Sequence, residues 1–263
     1  MFDNIRIKQA YEIIQFMIDQ DYGLNFNRFF HCTTLDNTKP LYTNSVEKLL
    51  QLIEANNHGQ VVKPTKLTTS SGGVLILIFK NFVIKIFDNY KTWLKVTNVL
   101  RQTYKSNYII KITYFISDNY FHAISTEKLV PIVYYDKYGS HLIKKFDHKL
   151  VLKLFWNISH ALQELHELGF EQGDCTWDNI GEINNRFVLF DFNCVHRLRT
   201  YSNSSDISQL IRSSKFNLTS VNKYPTEQRT FDFLKILQKK ELKNGHELYN
   251  FLNFTFLFIK LII

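Results

Sequence analysis

The hydrophobic rhythm of the chain changes several times, and each change predicts a different kind of element. Over residues 1–60 apolar positions recur at helical spacing. Ile5, Tyr11, Ile14, Phe16 and Ile18 begin one pattern, and SVEKLLQLIEANNHG (45–59) forms a second amphipathic helix, with Ser45 as a cap and Asn-His-Gly as its end. From about residue 61 the rhythm shortens. VVKPTKLTTSSGGVLILIFKNFVIKIF reads as three strands, broken by the turn Ser70-Ser71-Gly72-Gly73 and by a tight hairpin at Lys80-Asn81. Helical spacing returns over 91–104 through Trp93, Val96 and Leu100. Two strand-like runs, 108–117 and 120–129, then meet at Asp118-Asn119.

A third texture begins at Asp147, which is placed to cap a helix over 148–167. Val151, Leu154, Phe155, Ile158, Ala161, Leu162 and Leu165 form its apolar stripe, and Gly169 stops it. Two short strands flank Asn184-Asn185. Residues 205–216 and 230–242 read as helices, with 217–228 as loop between them. The closing FTFLFIKLII is very apolar but only about half of the roughly twenty residues that span a bilayer, so it reads as a final buried helix or strand. The first twenty residues lack the uninterrupted apolar core of a signal peptide, and the expectation is a soluble, intracellular, cytoplasmic protein.

Composition adds modest constraints. A content of 45% hydrophobic and 21% charged residues over 263 positions suits one large domain or two small lobes and excludes a disordered chain. Abundant Phe, Tyr, Asn, Ile and Lys with scarce Gly and Pro point to an AT-rich genome, such as that of a large DNA virus or an intracellular microbe. Lys and Arg (32) outnumber Asp and Glu (24), a net charge of +8 that favours anionic partners, yet no dense basic run marks a nucleic-acid site. Cys32, Cys175 and Cys194 are odd in number and widely spread, which suits free thiols in a reducing compartment and neither a zinc site nor a disulfide framework.

The candidate chemistry lies in LHELGFEQGDCTWDNIGEINNRFVLFDF (165–192). Phosphoryl transfer needs a carboxylate to orient the attacking hydroxyl, oxygen ligands for Mg²⁺ and a cation on the phosphates of the donor. Asp174 follows a long helix in a loop. Asn179, five residues on, is a neutral oxygen ligand, and a hairpin returns the chain to Asp191, a carboxylate at a strand end.

These residues resemble those of the protein kinase superfamily. Leu165-His166 with Gly169 matches its L-H-x-x-G segment, Asp174 to Asn179 its D-x-x-x-x-N, and Asp191-Phe192-Asn193 its D-F-G. Val83-Ile84-Lys85 is similar to V-A-I-K, and Thr126-Glu127-Lys128-Leu129 falls where the adenine-binding hinge belongs. The resemblance covers about residues 63–216. It implies an α+β, two-lobed fold: a helical extension (1–60), a small N-lobe with an antiparallel sheet and one helix (61–129), and a reduced, mostly helical C-lobe (130–263). It implies an ATP-dependent kinase, a serine/threonine protein kinase first, with Asp174 as catalytic base and Asn179 and Asp191 on Mg²⁺ or Mn²⁺. Lys85 would hold the α/β-phosphates, with Ser71, Gly72 and Gly73 at the phosphate loop and Glu127 and Leu129 at the adenine.

The departures matter as much. Gln172-Gly173-Asp174 replaces H-R-D, which removes the partner of a phosphorylated activation loop and predicts no such switch. Gly-Asp here is also similar to the H-G-D of aminoglycoside phosphotransferases and the G-D of lipopolysaccharide heptose kinases. No Asp or Glu lies between Asp88 and Asp118 to pair with Lys85, leaving Gln102, Asn98 or a Glu of the extension such as Glu54. Tyr224-Pro225-Thr226-Glu227 only faintly echoes A-P-E. Asp206 either caps the following helix or braces the catalytic loop. Cys175 is either modifiable or packed, and Trp177 and Asp178 are expected on the substrate side. A protein or small-molecule hydroxyl is the expected acceptor. The alternatives are a small-molecule, sugar or lipid kinase of the same fold, or a pseudokinase binding module.

Overall fold

The computed structural model describes residues 4–20, 26–30, 44–70, 73–119, 121–136, 139–198, 205–221 and 226–262. The chain divides into two compact units, residues 1–101 with 111–128 and residues 102–110 with 129–263.

In the first unit, helices α1 (Asn4–Gln20), α2 (Phe26–Phe30) and α3 (Asn44–Asn56) precede strands β1 (Lys66–Ser70), β2 (Val74–Ile78) and β3 (Phe82–Phe87). Helix α4 (Tyr90–Gln102) follows, then β4 (Ile112–Ser117) and β5 (His122–Glu127). The strands form one antiparallel sheet in the order β1-β2-β3-β5-β4. Alternation along each strand sorts its side chains between two faces. Leu75 and Leu77 of β2, Ile84 and Ile86 of β3 and Ala123 of β5 turn toward the N-terminal helices, where Ala10, Ile13, Met17, Leu49, Leu50 and Ile53 complete a dry core. Lys85, between Ile84 and Ile86, therefore belongs to the other face, in register with Ile76 and Ile124. Helix α3 begins at Asn44, so Ser45 sits within its first turn. Arg6 of α1 ties the helices together by donating to Glu54 (2.6 Å) and Glu47 (2.7 Å). Asn56 donates to buried Ser125 (2.9 Å) and accepts from Thr113 (2.8 Å), joining α3 to β5 and β4.

In the second unit, strands β6 (Val130–Pro131), β7 (Val133–Asp136) and β8 (Gly139–Leu142) lead into helix α5 (His148–Glu167). Then come β9 (Phe170–Glu171), β10 (Ile180–Ile183), β11 (Arg186–Leu189), β12 (His196–Arg197) and helices α6 (Asp206–Phe216), α7 (Gln228–Lys239) and α8 (Gly245–Ile262). Asp147 caps α5 by accepting from the Leu150 amide (2.8 Å), and every member of the expected apolar stripe is fully buried. Asn184 and Asn185 make the β10–β11 turn with φ of 47° and 60°, left-handed backbone that Asn tolerates. β10 pairs with both β11 and β6, and β11 also receives the 102–110 segment, since Leu189 donates to Tyr108 (2.8 Å) and accepts from Ile110 (3.0 Å).

The stretch 217–228, expected as loop, begins instead with a π-helical turn, Asn217–Val221, that prolongs α6. Its polar side chains bond back to the preceding turn, Asn217 Nδ2 to the Ser213 carbonyl (2.9 Å) and Thr219 Oγ1 to that of Lys215 (2.8 Å). Among the described residues no helix is long and apolar enough to cross a membrane.

Candidate active site

The loop between β9 and β10 owes its shape to buried partners. Asp206, at the start of α6, is fully buried. Its Oδ2 accepts from the Gln172 amide (2.9 Å) and its Oδ1 from the Gly173 amide (2.9 Å). His166 completes the brace. Its Nδ1 accepts from the Gly245 amide (2.8 Å), so the ring proton resides on Nε2, which donates to Asp206 (2.9 Å). Of the two sequence readings of Asp206, the brace is the one found; its Ser205 neighbour is the helix cap position.

Gln172 faces both ways along this loop. Its Oε1 accepts from the Asp174 amide (2.6 Å) and its Nε2 donates to the Asp191 carbonyl (2.9 Å). One side chain thus fixes the distance between the two segments that carry the candidate carboxylates. Asn179 lies in a short 3₁₀ turn, Trp177–Asn179, and its Nδ2 donates to both the carbonyl and Oδ2 of Asp174 (2.8 Å each). That fixes the amide so that its oxygen is the atom left to bind a cation. The Phe190 amide donates to the Asn179 carbonyl (2.9 Å), which sets Asp191 one residue beyond Asn179. Asp191 has a φ of 61°, a left-handed conformation at the strand end. Asp174 is exposed, while Asn179 is buried and Asp191 half-buried.

Gly173 explains the missing arginine. Its φ is +81°, and a Cβ there would meet the Cys194 carbonyl at 2.6 Å and the His196 ring at 3.0 Å. No side chain fits that backbone. Trp177, expected on the substrate side, is instead a buried anchor: its amide donates to Ser213 (2.9 Å), its indole to Ser214 (2.7 Å), and its ring packs on Phe146 (4.7 Å). Cys175 is packed too. Burial pushes its thiol well above the ordinary range, with Asp206 and Asp174 adding to the effect. Cys175 and Cys194 are free thiols, and Cys32 lies outside the described residues.

In the first unit, Lys85 is half-buried on β3. Glu54 is not on its face: alternation in β3 separates Lys85 from the isoleucines that α3 covers, and Glu54 is engaged by Arg6. Ser71 and Gly72 lie outside the described residues, as do Tyr224 and Pro225. Gly73 has a φ of +74° and accepts through its carbonyl from the Asp88 amide (3.1 Å). Asp88 is held by Arg28 of α2 (2.6 Å), and a Cβ on Gly73 would strike that carboxylate at 2.3 Å. Glu127 ends β5 opposite Phe82. In the second unit the Leu129 side chain packs on Gly181, where a Cβ would come within 2.2 Å.

Sequence reading missed the role of Gln172 and the Arg28–Asp88 pair. Gln172 had a signal, since it stands where the kinase pattern has histidine and offers both a donor and an acceptor. Arg28 had none.

Asn179 and Asp191 supply hard oxygen donors, which suit Mg²⁺ or Mn²⁺. Among the described residues no cluster of three or more His, Cys, Asp or Glu forms a metal cage.

No protein-family model and no curated protein matches the sequence. Solved structures do. The kinase PK-1 of Cydia pomonella granulovirus matches over 78% of this chain and 96% of its own, with a TM-score of 0.51 and 14% identity. WbdD, solved with the kinase inhibitor LY294002, matches over 73% of this chain and 45% of its own, with a TM-score of 0.46 and 13% identity. The strand and helix order, the antiparallel sheet and the first of these matches agree that the chain has an α+β, protein-kinase-like fold.

Proposed function

We propose that the chain is an ATP-dependent phosphotransferase, acting on serine or threonine hydroxyls of protein, with Asp174 as the catalytic base. The observation that carries this reading is the hold of Asn179 Nδ2 on the carbonyl and carboxylate of exposed Asp174. It aims a general base outward from a rigid loop and leaves the Asn179 oxygen for a cation.

Asn179 and Asp191 would hold Mg²⁺, and Lys85 would neutralise the α/β-phosphates, with Ser71, Gly72 and Gly73 at the phosphate turn and Glu127 and Leu129 beside the adenine. Mg²⁺ and ATP together supply an activated phosphoryl group whose charge the metal offsets. Asp174 would accept the proton of the acceptor hydroxyl as the new oxygen–phosphorus bond forms, while the bond from the γ-phosphorus to the β,γ-bridging oxygen breaks and ADP leaves. Gln172 keeps the Asp174 and Asp191 segments at a constant separation through this step.

A second reading, a small-molecule kinase, is favoured by the filled space at Gly173, which leaves no arginine to bind a phosphorylated segment. Purified protein is tested for phosphate transfer to protein and to small-molecule hydroxyls with Mg²⁺ or Mn²⁺, beside Asp174→Asn and Asp191→Ala. Turnover is expected to fall by about 10²- to 10⁴-fold in each variant, the usual worth of a general base or metal ligand. Rates that survive both substitutions would overturn the phosphotransferase reading, and acceptor preference separates the two substrate classes.

A further inference from the structure

β9 and β12 form a sheet of only two residues per strand, with His196 opposite Glu171 and Arg197 opposite Phe170. So short a ladder is marginal by itself, yet β9 runs directly into Gln172, Gly173 and Asp174, and β12 follows the Asp191 segment. The side chains across it therefore decide whether the two segments stay in register. Arg197 lies over the Phe170 ring (4.5 Å). His196 sits between two oxygens: Nδ1 is 3.0 Å from the Cys194 carbonyl and Nε2 is 3.2 Å from Glu171 Oε2. Both oxygens only accept, so a ring that satisfies both donates two N–H groups and carries a positive charge. Glu171 is oriented for this contact because its Oε1 already accepts from the hydroxyl (2.7 Å) and amide of Ser205. The ring also occupies the space that a Cβ on Gly173 would need.

We propose that His196 is a positioning residue, a cationic clip on Glu171 and the Cys194 carbonyl that holds the segment after Asp191 against the loop of Asp174. The proposal deepens the phosphotransferase reading and rests on it for the effect on turnover. The charged group facing the ring is Glu171. Arg197, its neighbour on β12, is turned onto Phe170, and β9 otherwise presents backbone.

His196→Ala and His196→Lys separate this role from general support, since Lys keeps a cation opposite Glu171 and Ala does not. At pH about 6, amides of Gly173, Asp174 and Leu198 should exchange with solvent roughly fivefold faster in His196→Ala than in the parent, the scale of a partly exposed ion pair. His196→Lys should match the parent, and β10 and β11 amides should be unaffected in both. In turnover, His196→Ala should lose about fivefold relative to the parent, and His196→Lys should restore the parent rate. Unchanged exchange in His196→Ala, or protection lost equally through β10 and β11, would overturn the clip, as would an equal loss in His196→Lys. If the parent has no turnover the phosphotransferase reading fails, and the exchange comparison still decides the clip.

Discussion

Asp206 gathers the Gln172 amide, the Gly173 amide and the His166 ring around one carboxylate in a fully buried setting. A neutral amide cannot replace it, because one of its two heads would turn N–H toward N–H. Asp206→Asn is therefore expected to cost about 2–4 kcal/mol of stability, the scale of one or two hydrogen bonds to a charged group. Urea denaturation measures this, and a loss under about 0.5 kcal/mol, within the range of ordinary surface substitutions, would contradict the brace. At this scale the sequence was informative about side chains at fixed spacing: Asp174 and Asn179, five residues apart, do meet. It was silent where backbone supplies the donors. The amides of Gln172 and Gly173 meet a carboxylate 34 and 33 residues away, and backbone amides leave no pattern in a sequence. Trp177 misled for a related reason: its place in the loop was visible, but not the two serines of α6 that draw it inward.

The helices ahead of β1 are as much a part of the first unit's core as the sheet itself. Leu50 is fully buried in the core cluster that also holds Leu75, Leu77, Ile84 and Ile86, so Leu50→Ala should cost about 2–5 kcal/mol in thermal or chemical unfolding. A change below about 1 kcal/mol would mean that the face is loosely covered. Long elements announce themselves, since α3, α4, α5 and strands β1 to β5 repeat their apolar spacing often enough to be read. β6, β7, β8, β9 and β12 run for two to four residues, too short for a period; β6 pairs with the longer β10, while β7 with β8 and β9 with β12 form two-stranded ladders of their own. The same periodicity placed α3 correctly as a helix but not on a face. Only the alternation of β3 in the folded sheet shows that Glu54 and Lys85 are on opposite sides.

For the molecule as a whole, pH dependence of stability has a definite sign. Burial lowers the His148 imidazole below its ordinary 6.5, with Arg229 adding to the effect, and burial alone lowers His160, which is stacked on Tyr108 (4.8 Å). Between the lowered folded values and 6.5 the unfolded chain takes up protons that the folded chain refuses. Their contribution is thus present in full above 6.5 and is lost as pH falls below it. The unfolding midpoint should drop on acidification through this window, and His148→Asn with His160→Phe should flatten the slope; an equally steep slope in that double variant would refute the assignment. Gly245 has a different kind of reach. Its amide bonds His166, and its Cα lies so close to Leu162 and Gln163 that a Cβ would come within 2.3 Å of backbone. During synthesis, Asp174, Asn179 and Asp191 leave the ribosome well before Gly245. A nascent chain therefore carries its candidate chemistry with the brace unfinished, and the loop reaches its final alignment only when the segment beginning at Gly245 has docked on α5.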